Sequence, residues 1–191
     1  SFTIGEFHVD LSKPWERLDY KELLKKHTGI DVLHTDLKIV EEKLEDLNIV
    51  YEKKGITLAR AVDTLWKYCR KDISGPAFLI NVPVFLEPLA KRRRDNPATV
   101  ERFQVILAGS EMGKGYSELN DPIDQQARLE EQQKAREAGD EEAQMADYDF
   151  IEALEYGMPP ACGFGVSERL FSFLSNKPVR ETQIFPLMRP R

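Results

Sequence analysis

At 191 residues with 41% hydrophobic side chains, the chain is expected to fold as one globular domain with a real core, and it shows neither an internal repeat nor a long disordered tract. A net charge of −6 excludes a broad basic surface for nucleic acid, so any RNA contact would have to be local. Cys69 and Cys162 lie far apart without CxxC spacing, and no run of 18 apolar residues or leading signal pattern occurs; a disulfide framework, a zinc site, a membrane span and secretion are therefore not expected, and a reducing cytoplasm is.

Phe2, Ile4, Phe7 and Val9 alternate imperfectly, as in a short edge strand. Pro14 then precedes an amphipathic run from Trp15 to His27 that Gly29 closes, which predicts a helix. Leu37, Val40, Leu44 and Leu47 recur at helical spacing, as do Leu58, Val62, Leu65 and Trp66, so two more helices are expected between Asp36 and Arg70, their stripes serving as core. The helical region thus covers about 14–72. From Phe78 the character changes to strands: FLINVP, then VERFQVILAG, then a glycine-punctuated segment through Tyr116, with Gly109-Ser110 as the hairpin turn. Ile123 to Ala138 is charged and glutamine-rich at helical propensity, Gly139-Asp140 breaks it, and Tyr148 to Tyr156 forms another helix before Gly157 and Pro159-Pro160.

The last segment carries the most chemistry. Gly163 and Gly165 alternate with Phe164 and Val166 as in a strand, and Ser167-Glu168-Arg169 opens an apolar helical run through Leu170, Phe171, Phe173 and Leu174. Glycines at alternate positions leave one strand face bare for a flat ligand, and Arg169 at the joint supplies a fixed positive charge suited to phosphate. Together they suggest a nucleotide floor. Asn120 and Asp121 read as helix caps. The basic run Lys91, Arg92, Arg93 and Arg94 could touch phosphates or form a solvated loop. His8, His27 and His34 show no metal-ligand spacing.

The stretch GSEMGKGYSELNDPID (Gly109 to Asp124), joined to GMPP, the glycine strand with Arg169, and FPLMRP, resembles the catalytic domain of class II lysyl-tRNA synthetases. The likeness extends through FLINVPVFLEPLAKRRRDNP, VERFQVILAG and the opening KPWERLDYKELLKKHTGID, and so covers most of the chain. The resemblance implies a mixed α/β (α+β) domain, a mainly antiparallel sheet flanked by helices, with the sheet and third motif in about 77–191. It implies ATP-dependent activation of L-lysine to lysyl-adenylate, then transfer to tRNA(Lys), with Mg2+ and a homodimeric parent. Nothing before Lys13 resembles the family's first two motifs, so the chain is expected to be the C-terminal part of a synthetase catalytic domain, incomplete in its activity.

By the same resemblance, Glu111 matches a magnesium and ATP ligand, Glu118 the acid that binds the substrate's ε-ammonium, Tyr116 an aromatic residue of the amino-acid pocket, and Arg169 the arginine that clamps ATP beside Gly163 and Gly165. Gly113 and Gly115 would clear space between the two acids. Glu111 and Glu118 would fall on opposite faces of a straight strand, so a shared pocket needs a bulge or bend. Three departures stand out. Gln104 occupies the position of a second metal-binding glutamate, Lys114 that of an asparagine near the substrate, and Ser167-Glu168 shortens and alters the approach to Arg169. Lys114 would repel a cationic substrate unless it points away. Alternative readings are a synthetase paralogue that modifies a protein or small molecule, and a non-catalytic module that kept the fold.

Overall fold

The computed structural model describes residues 1–185; Pro186 to Pro190, most of the expected FPLMRP segment, lie outside the described residues. Strands β1 (Phe2–Ile4) and β2 (Phe7–Val9) form a hairpin of their own. Strand β3 (Glu16–Asp19) then runs directly into helix α1 (Tyr20–Thr28). The sequence predicts a helix from Trp15, but Glu16–Asp19 pairs in parallel with Ala77–Ile80, and Trp15 packs on Phe78 at 5.0 Å between ring centroids. Those long-range contacts outweigh local helical periodicity. Asp19 ends the strand as N-cap, accepting from the Glu22 N–H at 3.0 Å, and Gly29, at φ +81°, closes the helix.

Helices α2 (Leu37–Asp46) and α3 (Leu58–Cys69) follow as expected, capped by Asp36 and Thr57. The sheet continues through β4 (Ala77–Ile80), β5 (Arg102–Leu107), β6 (Ser110–Ser117) and β7 (Cys162–Val166). Its spatial order is β3-β4-β5-β6-β7, and every pair except β3 with β4 is antiparallel. Helices α4 (Pro122–Glu137) and α5 (Tyr148–Glu155) connect β6 to β7, and α6 (Arg169–Ser175) and α7 (Val179–Thr182) follow the last strand. No helix among the described residues is long and apolar enough to cross a membrane.

Two cores sandwich the sheet. On one face Tyr20, Leu24, Val40, Leu44, Leu65 and Trp66 from α1–α3 meet Leu79 and Ile106. On the other, the β1–β2 hairpin and α6 cover Val105, Leu107 and Met112, with Phe78, Phe103 and Phe173 packed alongside. Each fully buried leucine contributes roughly 1.5–3 kcal/mol of transfer free energy, so the apolar stripes of α2 and α3 hold the helical layer against the sheet. The β5–β6 turn sits at Ala108-Gly109, one residue before the predicted position, because both residues adopt positive φ (+47° and +67°), as a tight two-residue hairpin requires.

Candidate active site

The register of β5 with β6 slips between Val105, opposite Gly113, and Ile106, opposite Glu111. Met112 is the extra residue, a β-bulge that buries its side chain in the second core. The bulge reverses the alternation, so Glu111 faces the same side as Lys114, Tyr116 and Glu118. That side opens into a cleft of about 770 Å³ between the sheet, the α3 side and the segment after α4; Gln104, Glu111, Lys114 and Gly165 all line it. Tyr116 and Gly163 line a neighbouring hollow of about 740 Å³ with Arg94 and Cys162. Glu118 reaches over Gly163, where a Cβ would lie 3.7 Å from its Oε1.

The four glycines divide by face. A Cβ on Gly115 would lie 2.8 Å from two atoms of the Phe103 ring, and one on Gly113 3.1 Å from the Phe164 ring. These two make room for the stacked Phe103–Phe164 pair behind the sheet (5.5 Å, 27°), not for a ligand as the sequence suggests. Gly165 is different: its nearest neighbour would be the Lys114 carbonyl oxygen at 4.0 Å, so the floor there is open.

Glu111 accepts a hydrogen bond from the Trp66 indole N–H at 2.6 Å and has the Arg70 guanidinium 3.8 Å away. Gln104 is buried, and its amide oxygen accepts from Arg102. Arg102 also pairs with Glu87, and Glu87 Oε2 has the Lys114 ammonium 3.4 Å away. Lys114 lies 5.8 Å from the Tyr116 ring centroid. Burial, with the nearby carboxylates of Glu118 and Glu87, holds the Tyr116 hydroxyl above its ordinary pKa, so the phenol stays protonated. Among the described residues, Arg102 Nε and the Tyr20 hydroxyl, both from residues lining the cleft, are buried and find no hydrogen-bond partner.

Arg169 stands apart. It is the first residue of α6, exposed, with its backbone N–H bonded to Ser167 Oγ, and the cleft wall at that end is Val166 and Ser167. The adjacent Glu168 accepts a hydrogen bond from the Gln183 side chain at 2.6 Å. In the basic run, Lys91 binds Asn120, Arg92 binds Asp124 and Arg93 binds Asp95, so three of the four cations are engaged within the chain. Asp121 caps α4 as expected, while Asn120 also donates to the Met158 carbonyl, tying the end of β6 to the approach of β7.

Residues 2–189 match the family of class II tRNA synthetases (D, K and N). The chain belongs to this family. Among its relatives, the lysine–tRNA ligase of Thermosipho africanus is 43% identical over 189 residues, covering 97% of this chain and 37% of the relative. That of Thermotoga maritima is 42% identical over 185 residues, covering 96% and 36%, and that of a Roseiflexus species 41% over 187, covering 96% and 38%. The chain therefore spans little more than a third of the length of these relatives.

For this class II synthetase chain, sequence reasoning missed Glu87, Arg102 and the polar role of Trp66. Arg102 and Gln104 were legible as a pair: polar residues at alternate positions of an otherwise apolar strand mark a face that meets something other than core. Trp66 sits in a stripe that periodicity assigns wholly to packing, and no local signal shows that its N–H reaches a residue 45 positions away. The carboxylates that could meet a magnesium ion are Glu111 and Glu87 in the cleft and Glu118 on the same face, whereas the Gln104 amide oxygen is already bonded to Arg102; among the described residues no group of three or more His, Cys, Asp or Glu is arranged to hold a metal.

Proposed function

We propose that the protein is a lysine–tRNA ligase that uses ATP to activate L-lysine as lysyl-adenylate and transfers it to tRNA(Lys), this chain contributing part of the catalytic domain. The observation that carries the reading is the Met112 bulge, which turns Glu111 and Glu118 to one face of a glycine-floored sheet. On this reading Glu118 receives the substrate's ε-ammonium beside Tyr116, ATP lies along Gly163 and Gly165, and Arg169 swings from the start of α6 onto its phosphates. Glu111 is the carboxylate that would meet the magnesium arriving with ATP. Catalysis is then positioning and electrostatic stabilisation of the departing pyrophosphate, without a covalent enzyme intermediate. The parent acts in the cytoplasm as a homodimer.

Lys114 does not by itself repel substrate lysine, because its ammonium is drawn to Glu87. The test is amino-acid-dependent ATP–pyrophosphate exchange by the full-length protein with lysine, arginine, ornithine and aspartate. Exchange is expected with lysine. Since a charge-assisted hydrogen bond is worth about 1.5–3 kcal/mol, Glu118→Gln raises KM for lysine by about 10- to 150-fold while KM for ATP stays near wild type. Exchange with aspartate in place of lysine, or indifference to Glu118→Gln, would refute the reading.

A further inference from the structure

The backbone at Glu111 does little to aim its side chain. The residue directly precedes the Met112 bulge, where the β5–β6 ladder slips, and a bulged strand does not direct its side chains by the regular pleat. Its carboxylate is also 37% exposed, so packing does not immobilise it.

What holds the carboxylate comes from another layer. Trp66 and Arg70 stand four residues apart at the end of α3, one turn apart on one face. The Trp66 indole N–H donates to Glu111 Oε1 at 2.6 Å, whereas the Arg70 guanidinium stands 3.8 Å from that same oxygen, beyond hydrogen-bond distance. Arg70 donates instead to the Gly109 carbonyl. Among the described residues the indole thus makes the only hydrogen bond to this carboxylate, and both neighbours converge on Oε1, leaving Oε2 unclaimed.

The donor is rigid where the acceptor is not. Trp66 is 2% exposed, and its ring packs on Tyr20 at 5.5 Å between centroids, inside the core that α1 and α3 build against the sheet. A phenylalanine would continue the apolar stripe of α3 equally well. The indole adds one polar atom, and that atom reaches a cleft acid rather than a backbone carbonyl.

Resting on the proposed ATP-dependent reaction, we propose that Trp66 is a positioning residue for Glu111: its N–H fixes Oε1 and leaves Oε2 to take the magnesium ion that accompanies ATP. The carboxylate is then ordered before the nucleotide arrives, so the cost of ordering it does not weaken binding. Removing a donor that orients a metal-binding side chain typically changes metal affinity by about 10- to 100-fold.

The test titrates the full-length protein with the β,γ-imido analogue of ATP by calorimetry over a range of magnesium concentrations. Trp66→Phe keeps an aromatic ring against Tyr20 and is expected to raise the magnesium concentration for half-maximal binding by about tenfold. Glu111→Gln should raise it at least as much. The double variant should bind no more weakly than Glu111→Gln alone, because the indole acts through that carboxylate; a merely structural role would give additive losses. Replacing Trp66 by its benzothiophene isostere, with sulfur in place of the N–H at the same shape, is expected to reproduce Trp66→Phe and serves if the smaller ring disturbs the core. A wild-type magnesium midpoint in the isostere, additive losses in the double variant, or analogue binding that ignores magnesium would overturn the inference and leave the synthetase reading intact. No analogue binding at any magnesium concentration would overturn both.

Discussion

Replacing Gly165 and Gly115 by alanine, one at a time, separates a glycine kept for a ligand from a glycine kept for packing. At Gly115 the new methyl would sit 2.8 Å from two Phe103 ring atoms and 3.0 Å from the Gly163 carbonyl oxygen. Phe103 has no retreat, since its ring stacks on Phe164 at 5.5 Å and meets the Phe78 ring edge-on at 5.8 Å. Overpacking of this kind costs about 1–3 kcal/mol, so Gly115→Ala should lower the urea midpoint clearly and loosen β7 from the sheet. At Gly165 one oxygen at 4.0 Å is the only neighbour among the described residues, and the backbone is outside the left-handed region. Alanine there is neutral to roughly 0.4–1 kcal/mol stabilising, through the reduced entropy of the unfolded chain. Its methyl nonetheless stands in the cleft, where a nucleotide lying on the strand would meet it, and an overpacking cost of about 1–3 kcal/mol corresponds to roughly 5- to 150-fold in affinity. Urea unfolding followed by tryptophan fluorescence, and calorimetric titration with the ATP analogue, read the two effects separately. Equal destabilisation by both substitutions would refute the facial assignment. Unchanged nucleotide affinity in Gly165→Ala would show that the strand is not the nucleotide floor.

Two further outcomes follow from titratable groups. Burial pushes the Asp124 carboxyl up, but hydrogen bonds from Arg128 and Arg92 more than reverse this and leave it below the ordinary carboxylate range. A depressed folded pKa means that the pairing stabilises fully above the unfolded value of about 3.9 and is lost as pH falls through the folded value. Thermal melts across the acid range should therefore show Asp124→Asn less stable at neutral pH and with a shallower decline on acidification, and parallel curves would refute the assignment. The two thiols should differ as well: Cys162 is exposed, whereas Cys69 is buried and its thiol is pushed up to about 11 by burial, then by the nearby Asp72. Ellman's reagent should titrate one thiol per native chain quickly and the second only after denaturant, and two fast thiols would mean that the α3 core is open.

The helices were legible because their information is local: the stripes of α2 and α3 and the caps Asp36, Thr57 and Asp121 lie within a few residues of what they control. Strand β3 was hidden for the converse reason. Glu16 to Asp19 continues an amphipathic run, and only its pairing with Ala77–Ile80, some 60 residues on, makes it extended. The need for a bulge between Glu111 and Glu118 was visible in their parity, yet its position at Met112 was not, since that depends on which residue the second core can bury. The facing of Gly113 and Gly115 follows from the bulge and was misread with it. The Arg102–Glu87–Lys114 network joins three segments, and no spacing rule reaches across them.

That network is held by α4, whose Gln132 and Ala135 also line the cleft. α4 is largely polar, and what it buries is Gln125, Arg128 and Leu129. Arg128 takes Asp124 in a two-pronged pair and donates to the carbonyls of Glu87 at 3.2 Å and Ala90 at 2.6 Å, while Gln125 donates to the Pro88 carbonyl at 3.0 Å. The backbone from Glu87 to Ala90 is thus pinned by side chains, and the Leu119 N–H bonded to the Leu89 carbonyl fastens the same segment to the end of β6. A buried ion pair adds little stability over an apolar packing of the same shape, although breaking it by removing one partner costs about 3–5 kcal/mol. What the clamp supplies is position: it sets where the Glu87 carboxylate stands, and hence how Arg102 is held and how loosely Lys114 is kept. Changes on the buried side of α4 therefore act on the charge of the cleft floor without contacting it, by moving the one acid that two cations share.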